Sequence, residues 1–200
     1  MKTALRYLVI IALLSFSIQK TKAQCHATDI LVQNLVPASS QTPGTCTATF
    51  DLSFTMEDNN GNKFIYLHGW AQSNYVNYFN CVNGDPSSNG AIQAPQQSDL
   101  INAFLNLGID NNDSIPVLLS TYTPDPSVSL NSVNSITRTV LPDGSAFFVL
   151  HGVTATFPAD CGTPFLMVVD FWSSQAAQAQ VAHCVNCGLT YALNFLTVGG

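Results

Sequence analysis

The sequence predicts an all-β protein built as an antiparallel sandwich, and three observations carry that expectation. Apolar and polar residues alternate with a period of two along several short runs, clusters of Pro, Gly, Asn and Ser separate those runs, and helical periodicity is scarce. About eight strands over about 177 residues is the spacing of two packed sheets.

Taken in order, Asp29 to Val36 reads as the first strand. Along Phe50-Asp51-Leu52-Ser53-Phe54-Thr55-Met56 large apolar and polar residues alternate strictly, as in a half-buried strand. After Asn59-Asn60-Gly61-Asn62 the apolar pattern resumes at Phe64-Ile65-Tyr66-Leu67, and Asn-Gly between two such runs predicts a hairpin, because both turn residues tolerate positive φ. Ser98 is placed to cap a short helix through Leu100, Ile101, Phe104 and Leu105, although Ala103, Leu105, Leu107 and Ile109 also alternate as a strand would. Helix is the expectation up to about Phe104. Ile115 to Tyr122 is the next strand, and Ser135 to Leu141 joins Ala146 to Val153 through Pro142-Asp143-Gly144 as a second hairpin.

Pro164 to Trp172 is apolar on both faces. Phe165, Met167, Val169 and Phe171 line one and Leu166, Val168 and Trp172 the other, with Asp170 the odd polar member, so this is a central strand. Gln175 to Ala182 reads as a loop and Leu189 to Val198 as the last strand. Tyr75 to Gln97 is the longest irregular stretch. No charge run or low-complexity linker cuts residues 24–200, which are expected to form one β-sandwich domain; a division near Gln97 is the alternative.

Residues 1–23 carry the marks of a signal peptide. Lys2 and Arg6 open a positive segment, Tyr7 to Ile18 is almost unbroken apolar, and Thr21-Lys22-Ala23 offers small residues where a signal peptidase reads. Export and cleavage near Ala23 are expected, and the run is too short to be read as a membrane span. Lys2, Arg6, Lys20 and Lys22 leave with the leader, so Lys63 and Arg138 stand against twelve acidic residues and the mature charge is 2 − 12 = −10. Two cations cannot neutralise a row of phosphates, which excludes nucleic acid as a partner.

An oxidising compartment makes the six cysteines, Cys25, Cys46, Cys81, Cys161, Cys184 and Cys187, a disulfide framework of three bridges, whose pairing is one of fifteen. Gln24 stands before Cys25 where a lipoprotein signal wants a small residue, which argues against a lipid anchor. His183-Cys184-Val185-Asn186-Cys187 is the one compact motif. A zinc ribbon needs a second close cysteine pair, haem attachment needs His where Gly188 stands, and a redox pair needs a βαβ setting; structural cysteines are expected.

Asn60-Gly61 followed by Phe64 to His68-Gly69 is echoed 83 residues later by Asp143-Gly144 followed by Phe147 to His151-Gly152. Were the two return strands neighbours, His68 and His151 with a carboxylate such as Asp170 would make a metal or acid/base site; otherwise each histidine is an ordinary strand residue. Glu57-Asp58-Asn59-Asn60 and Asp110-Asn111-Asn112-Asp113 offer oxygen ligands but fail the calcium-loop template, so solvated turns are expected. Asn112-Asp113-Ser114 is a lone glycosylation sequon. No nucleophile elbow, paired helical zinc motif or phosphate loop occurs in the sequence. Trp70, Tyr75, Tyr78 and Phe79, at a strand end and in the following loop, are the candidate binding platform, their other role being core packing.

In its general character, an exported, disulfide-bearing sandwich rich in Asn, Ser and Thr, the chain is similar in architecture to immunoglobulin-like surface modules. It departs from them in having no Trp midway between two cysteines at the family's spacing. The chain stops on Leu196-Thr197-Val198-Gly199-Gly200 directly after a strand, which fits one segment of a longer surface protein. The expected function is a secreted or cell-surface, non-catalytic binding module for adhesion, ligand binding or scaffolding. It would have no cofactor, no membrane span in the mature chain, and an extracellular glycan or protein ligand. The alternative is a secreted hydrolase or metal-dependent enzyme using His68 and His151 with a carboxylate.

Overall fold

The computed structural model describes residues 26–38, 42–57, 62–82 and 92–194. Among them the chain forms nine strands and no α-helix: β1 (Ala27–Pro37), β2 (Cys46–Met56), β3 (Phe64–Ala71), β4 (Leu105–Asp110), β5 (Val117–Leu118), β6 (Ser135–Val140), β7 (Ala146–Phe157), β8 (Pro164–Ser174) and β9 (Cys184–Asn194). One sheet has the order β1-β2-β7-β6 and the other β5-β4-β3-β8-β9, with every neighbouring pair antiparallel. The fold is a β-sandwich.

The period-two pattern decides what each face does. From β2 and β7, Phe50, Leu52, Phe54, Phe148, Leu150 and Phe157 point inward to meet Ile65, Leu67, Leu107, Met167, Val169 and Phe171 of the facing sheet. Phe54 stacks on Phe148 at 5.2 Å and tilts against Phe171 at 4.9 Å, so aromatic contacts span the two layers. Strands β3 and β8 are buried on their outer face as well, because loops wrap over it. Tyr66, Trp70 and Trp172 pack there with Phe79, Leu100, Tyr122 and Val128. Ala94 and Ala182 donate backbone hydrogen bonds to Gln180 and Ile92, and Tyr122 donates its hydroxyl to the Pro95 carbonyl at 3.3 Å. The described parts of the long irregular stretch, residues 75–82 and 92–97, thus help cover one sheet.

Two expectations fail. The alternation through Leu105, Leu107 and Ile109 prevails over the helix, because those side chains fill the inter-sheet core and β3 supplies the ladder; Gln96 to Asp99 makes turns held by the Asp99 carboxylate on the Gln96 N–H at 2.7 Å. The first hairpin does not form either. Strand β2 lies between β1 and β7 and β3 between β4 and β8, so the connection through Asn60-Gly61 crosses between sheets; residues 58–61 lie outside the described residues. The second hairpin forms as expected: Val140 pairs with Ala146, Gly144 takes φ 87°, and Asp143 accepts from the Ser145 N–H at 3.0 Å.

Strand β1, at a sheet edge, is interrupted twice. Asp29 and Asn34 both adopt φ 53°, and the pairing with β2 slips between Thr28 and Leu31 and again between Gln33 and Val36. Disulfides join Cys46 to Cys161, with Cα atoms 4.9 Å apart, and Cys81 to Cys187, at 6.1 Å. Cys184 is disulfide-bonded to a partner outside the described residues. Both cysteines of the Cys184-Val185-Asn186-Cys187 motif are therefore structural and bonded elsewhere. Residues 1–25, where the leader is expected, and 195–200 also lie outside the described residues. Among the described residues no helix is long and apolar enough to cross a membrane.

Candidate functional site

On the outer face of β3 and β8, His68 stands directly opposite Asp170, and Trp70 stands opposite Val168. His68 is fully buried and uses both ring nitrogens. An indole N–H can only donate, so Nε2 accepts from Trp172 Nε1 at 3.0 Å; Nδ1 then carries the proton and donates to Asn106 Oδ1 at 3.0 Å. Burial pushes its pKa down to about 4, the bond to Asn106 opposing. This is a neutral, saturated core imidazole with no lone pair left for a metal.

His151 is on β7 in the other sheet, partly exposed, with Nδ1 3.7 Å from Asp51 Oδ2. The histidines and Asp170 therefore do not converge, and the described residues include no group of three His, Cys, Asp or Glu side chains able to hold a metal. The glycine after His151 does form a bulge: Gly152 has φ 65° and donates its N–H to Asp51 Oδ1 at 2.9 Å. Together with the Asn34 amide, the larger influence, it holds the Asp51 carboxyl below its ordinary pKa.

Asp170 sits at a matching bulge in the five-stranded sheet. The register between β8 and β9 slips between Val169 and Phe171, Gly188 opposite adopts φ 71°, and its N–H donates to Asp170 Oδ1 at 2.8 Å. Tyr75 donates its hydroxyl to the same oxygen at 2.9 Å. Burial raises the carboxyl pKa to about 6 against those two donors, and the same burial with the adjacent carboxylate raises the Tyr75 phenol.

Both donors to Asp170 line an open cleft of about 340 Å³ bounded by Tyr75, Asn77, the Cys81–Cys187 disulfide, Gly188, Leu189 and Thr190. The disulfide fixes the loop side of the cleft to β9, and the Asn77 amide closes that loop by accepting from the Cys81 N–H at 2.9 Å. Of the four aromatic candidates only Tyr75 borders the cleft. Trp70 and Phe79 are buried in the outer core, and Tyr78 is half-buried with its hydroxyl on the Ala94 carbonyl at 3.2 Å. An exposed four-ring platform is not formed.

Gly188, Leu189 and Thr190 escaped the sequence reading. The signal for Gly188 was its place directly after Cys187, where a glycine ends a motif and permits a bulge. The acidic cluster at Asp110 is a turn, with Asn112 N donating to Asp110 Oδ1 at 3.0 Å, while the Arg138 guanidinium donates to Asn111 and to the carbonyls of Asp113 and Ser114. Asn112, the sequon residue, is exposed on that turn. The chain matches no protein-family model, no curated protein and no solved structure.

Proposed function

We propose that this chain is an exported, non-catalytic binding module, acting in adhesion, ligand capture or scaffolding through the cleft beside Tyr75. The observation that carries the reading is the clamped geometry of that cleft: one wall is a sheet strand, the other a loop tied to it covalently by Cys81–Cys187. Loops held rigidly on a sandwich are how such folds present ligand sites. Two disulfides and an all-β fold fit an extracellular module.

The strand orders β1-β2-β7-β6 and β5-β4-β3-β8-β9 correspond to the ABED and C″C′CFG sheets of the variable-type immunoglobulin arrangement. Cys46 on β2 joins Cys161, three residues before β8, near the positions of that family's inter-sheet bridge. These features support an immunoglobulin-like reading in topology. Trp70, on the strand equivalent to C, packs outside the inter-sheet core, which departs from that family. On this reading residues 1–23 are a removed leader and residues 24–200 a domain of a secreted or cell-surface protein.

Glycan and peptide arrays probed with the mature protein are the test. A ligand whose binding is lost in Tyr75→Ala, measured well below the variant's own thermal midpoint because the Asp170 bond goes with the ring, is the expected result. Arrays blank for both classes, or a ligand indifferent to Tyr75, would remove the proposal.

A further inference from the structure

Among the described residues, two buried polar atoms on this face have no hydrogen-bond partner: the Trp70 Nε1 donor and the Asp170 Oδ2 acceptor. Trp70 pairs with Val168 and Asp170 with His68, so Trp70 and Asp170 are diagonal neighbours on one face, a relation that long side chains bridge. Tyr75 touches both, with its ring edge-on to Trp70 at 5.5 Å and its hydroxyl on Asp170 Oδ1. Of these three residues it is Tyr75 that lines the cleft, with Trp70 and Asp170 buried behind the lining. An unpaired buried donor and an unpaired buried acceptor at diagonal positions of one face each cost about 1–3 kcal/mol, and one group able to reach both would relieve them together.

A hydroxyl does this with one atom, donating to the carboxylate while accepting from the indole. An ammonium group can only donate and leaves the indole N–H unmet. A peptide amide presents its donor and acceptor on opposite sides of a planar unit, which suits an edge strand better than an enclosed point. We infer that the cleft takes a polyhydroxylated ligand, a sugar, one hydroxyl of which enters behind the Tyr75 ring to bridge Trp70 Nε1 and Asp170 Oδ2. The assignment rests on the binding-module reading above and narrows it to a ligand class. Tyr75, carried on a loop, turns aside to admit the sugar and then packs against it. The Thr190 side chain, exposed at the mouth, is available to a second hydroxyl.

The two indole N–H signals of the ¹⁵N-labelled mature protein test this directly, because Trp172 is already bonded to His68 and serves as the internal reference. Methyl β-D-glucopyranoside, methyl α-D-mannopyranoside and methyl β-D-galactopyranoside are titrated, with n-butylammonium chloride and triglycine amide as non-sugar probes. The expected result is a saturable shift of the Trp70 signal by at least one glycoside, with Trp172 unmoved. Asp170→Asn, which sets two donors face to face, should weaken that glycoside about tenfold, the scale of one charge-assisted hydrogen bond. An intermolecular NOE from the Trp70 indole proton to the glycoside in the wild type makes the same test should Asp170→Asn not fold. A shift by butylammonium or triglycine amide alone, or none by any glycoside, overturns the sugar assignment. A Tyr75-dependent peptide from the arrays with no glycoside reaching Trp70 does so too, while leaving the binding module standing.

Discussion

His68 and Asp170 face each other across β3 and β8 yet answer acid in opposite senses. The folded-state pKa of His68 is about 4 against 6.5 ordinarily, so its contribution to stability is whole above pH 6.5 and is lost as pH falls toward 4. That of Asp170 is about 6 against 3.8, so its contribution is whole below 3.8 and is lost as pH rises toward 6. Each amounts to about 3 kcal/mol over nearly the same window, and the two offset. Urea unfolding at pH 4 and 6.5 should show Asp170→Asn losing about 3 kcal/mol relative to wild type on acidification, and His68→Gln gaining a similar amount. Parallel pH profiles for wild type and both variants would contradict the burial that sets these values. The pairing itself could not be read from the sequence, since the register that puts His68 against Asp170 depends on which strands are neighbours.

At the scale of elements, the bulges show what a sequence can and cannot announce. Gly152 was legible as a candidate bulge from its place after His151. Its reason is now concrete: φ is 65° and an added Cβ would come 2.1 Å from Asn134 Nδ2. Gly152→Ala should cost about 2 kcal/mol, and Asn134→Ala in the same background should recover only part, because the backbone strain stays after the clash is gone. Chemical denaturation of the single and double variants checks this. Strands with one dry face, such as β2 and β7, were legible from alternation alone. The β3 to β8 pairing, and the loops that dry the outer face of both, were not: Phe64 to Leu67 reads as apolar whatever covers it, and an Asn-Gly turn signal does not say whether the chain returns in the same sheet. The Tyr75 cleft was half visible, as an aromatic in a long loop. Its other wall needed the Cys81–Cys187 pairing, one choice among fifteen.

Over the whole molecule, the two described disulfides have different reach. Cys46–Cys161 closes a separation of 115 residues and ties β2 to the lead-in of β8 in the opposite sheet, so its replacement by an alanine pair should lower global stability by about 2–4 kcal/mol. Cys81–Cys187 fastens a loop to a strand, and its removal should chiefly raise hydrogen exchange along residues 72–82 and weaken the ligand capture proposed for the cleft. Exchange mapped by mass spectrometry separates the two; a uniform rise for both would show that the loop clamp is part of the global cooperative unit.

The two kinks in β1 also govern how the protein keeps its distance from its own copies. An uninterrupted eleven-residue ribbon at a sheet border is a ready template on which another molecule's ribbon can grow, the first step toward fibrils. Here the regular ladder on β2 runs for no more than three residues, Leu31 to Gln33, before the backbone turns out of line. A visiting strand would find no stretch of β1 long enough to seed on, so this border of the four-stranded sheet is a poor nucleus for polymer.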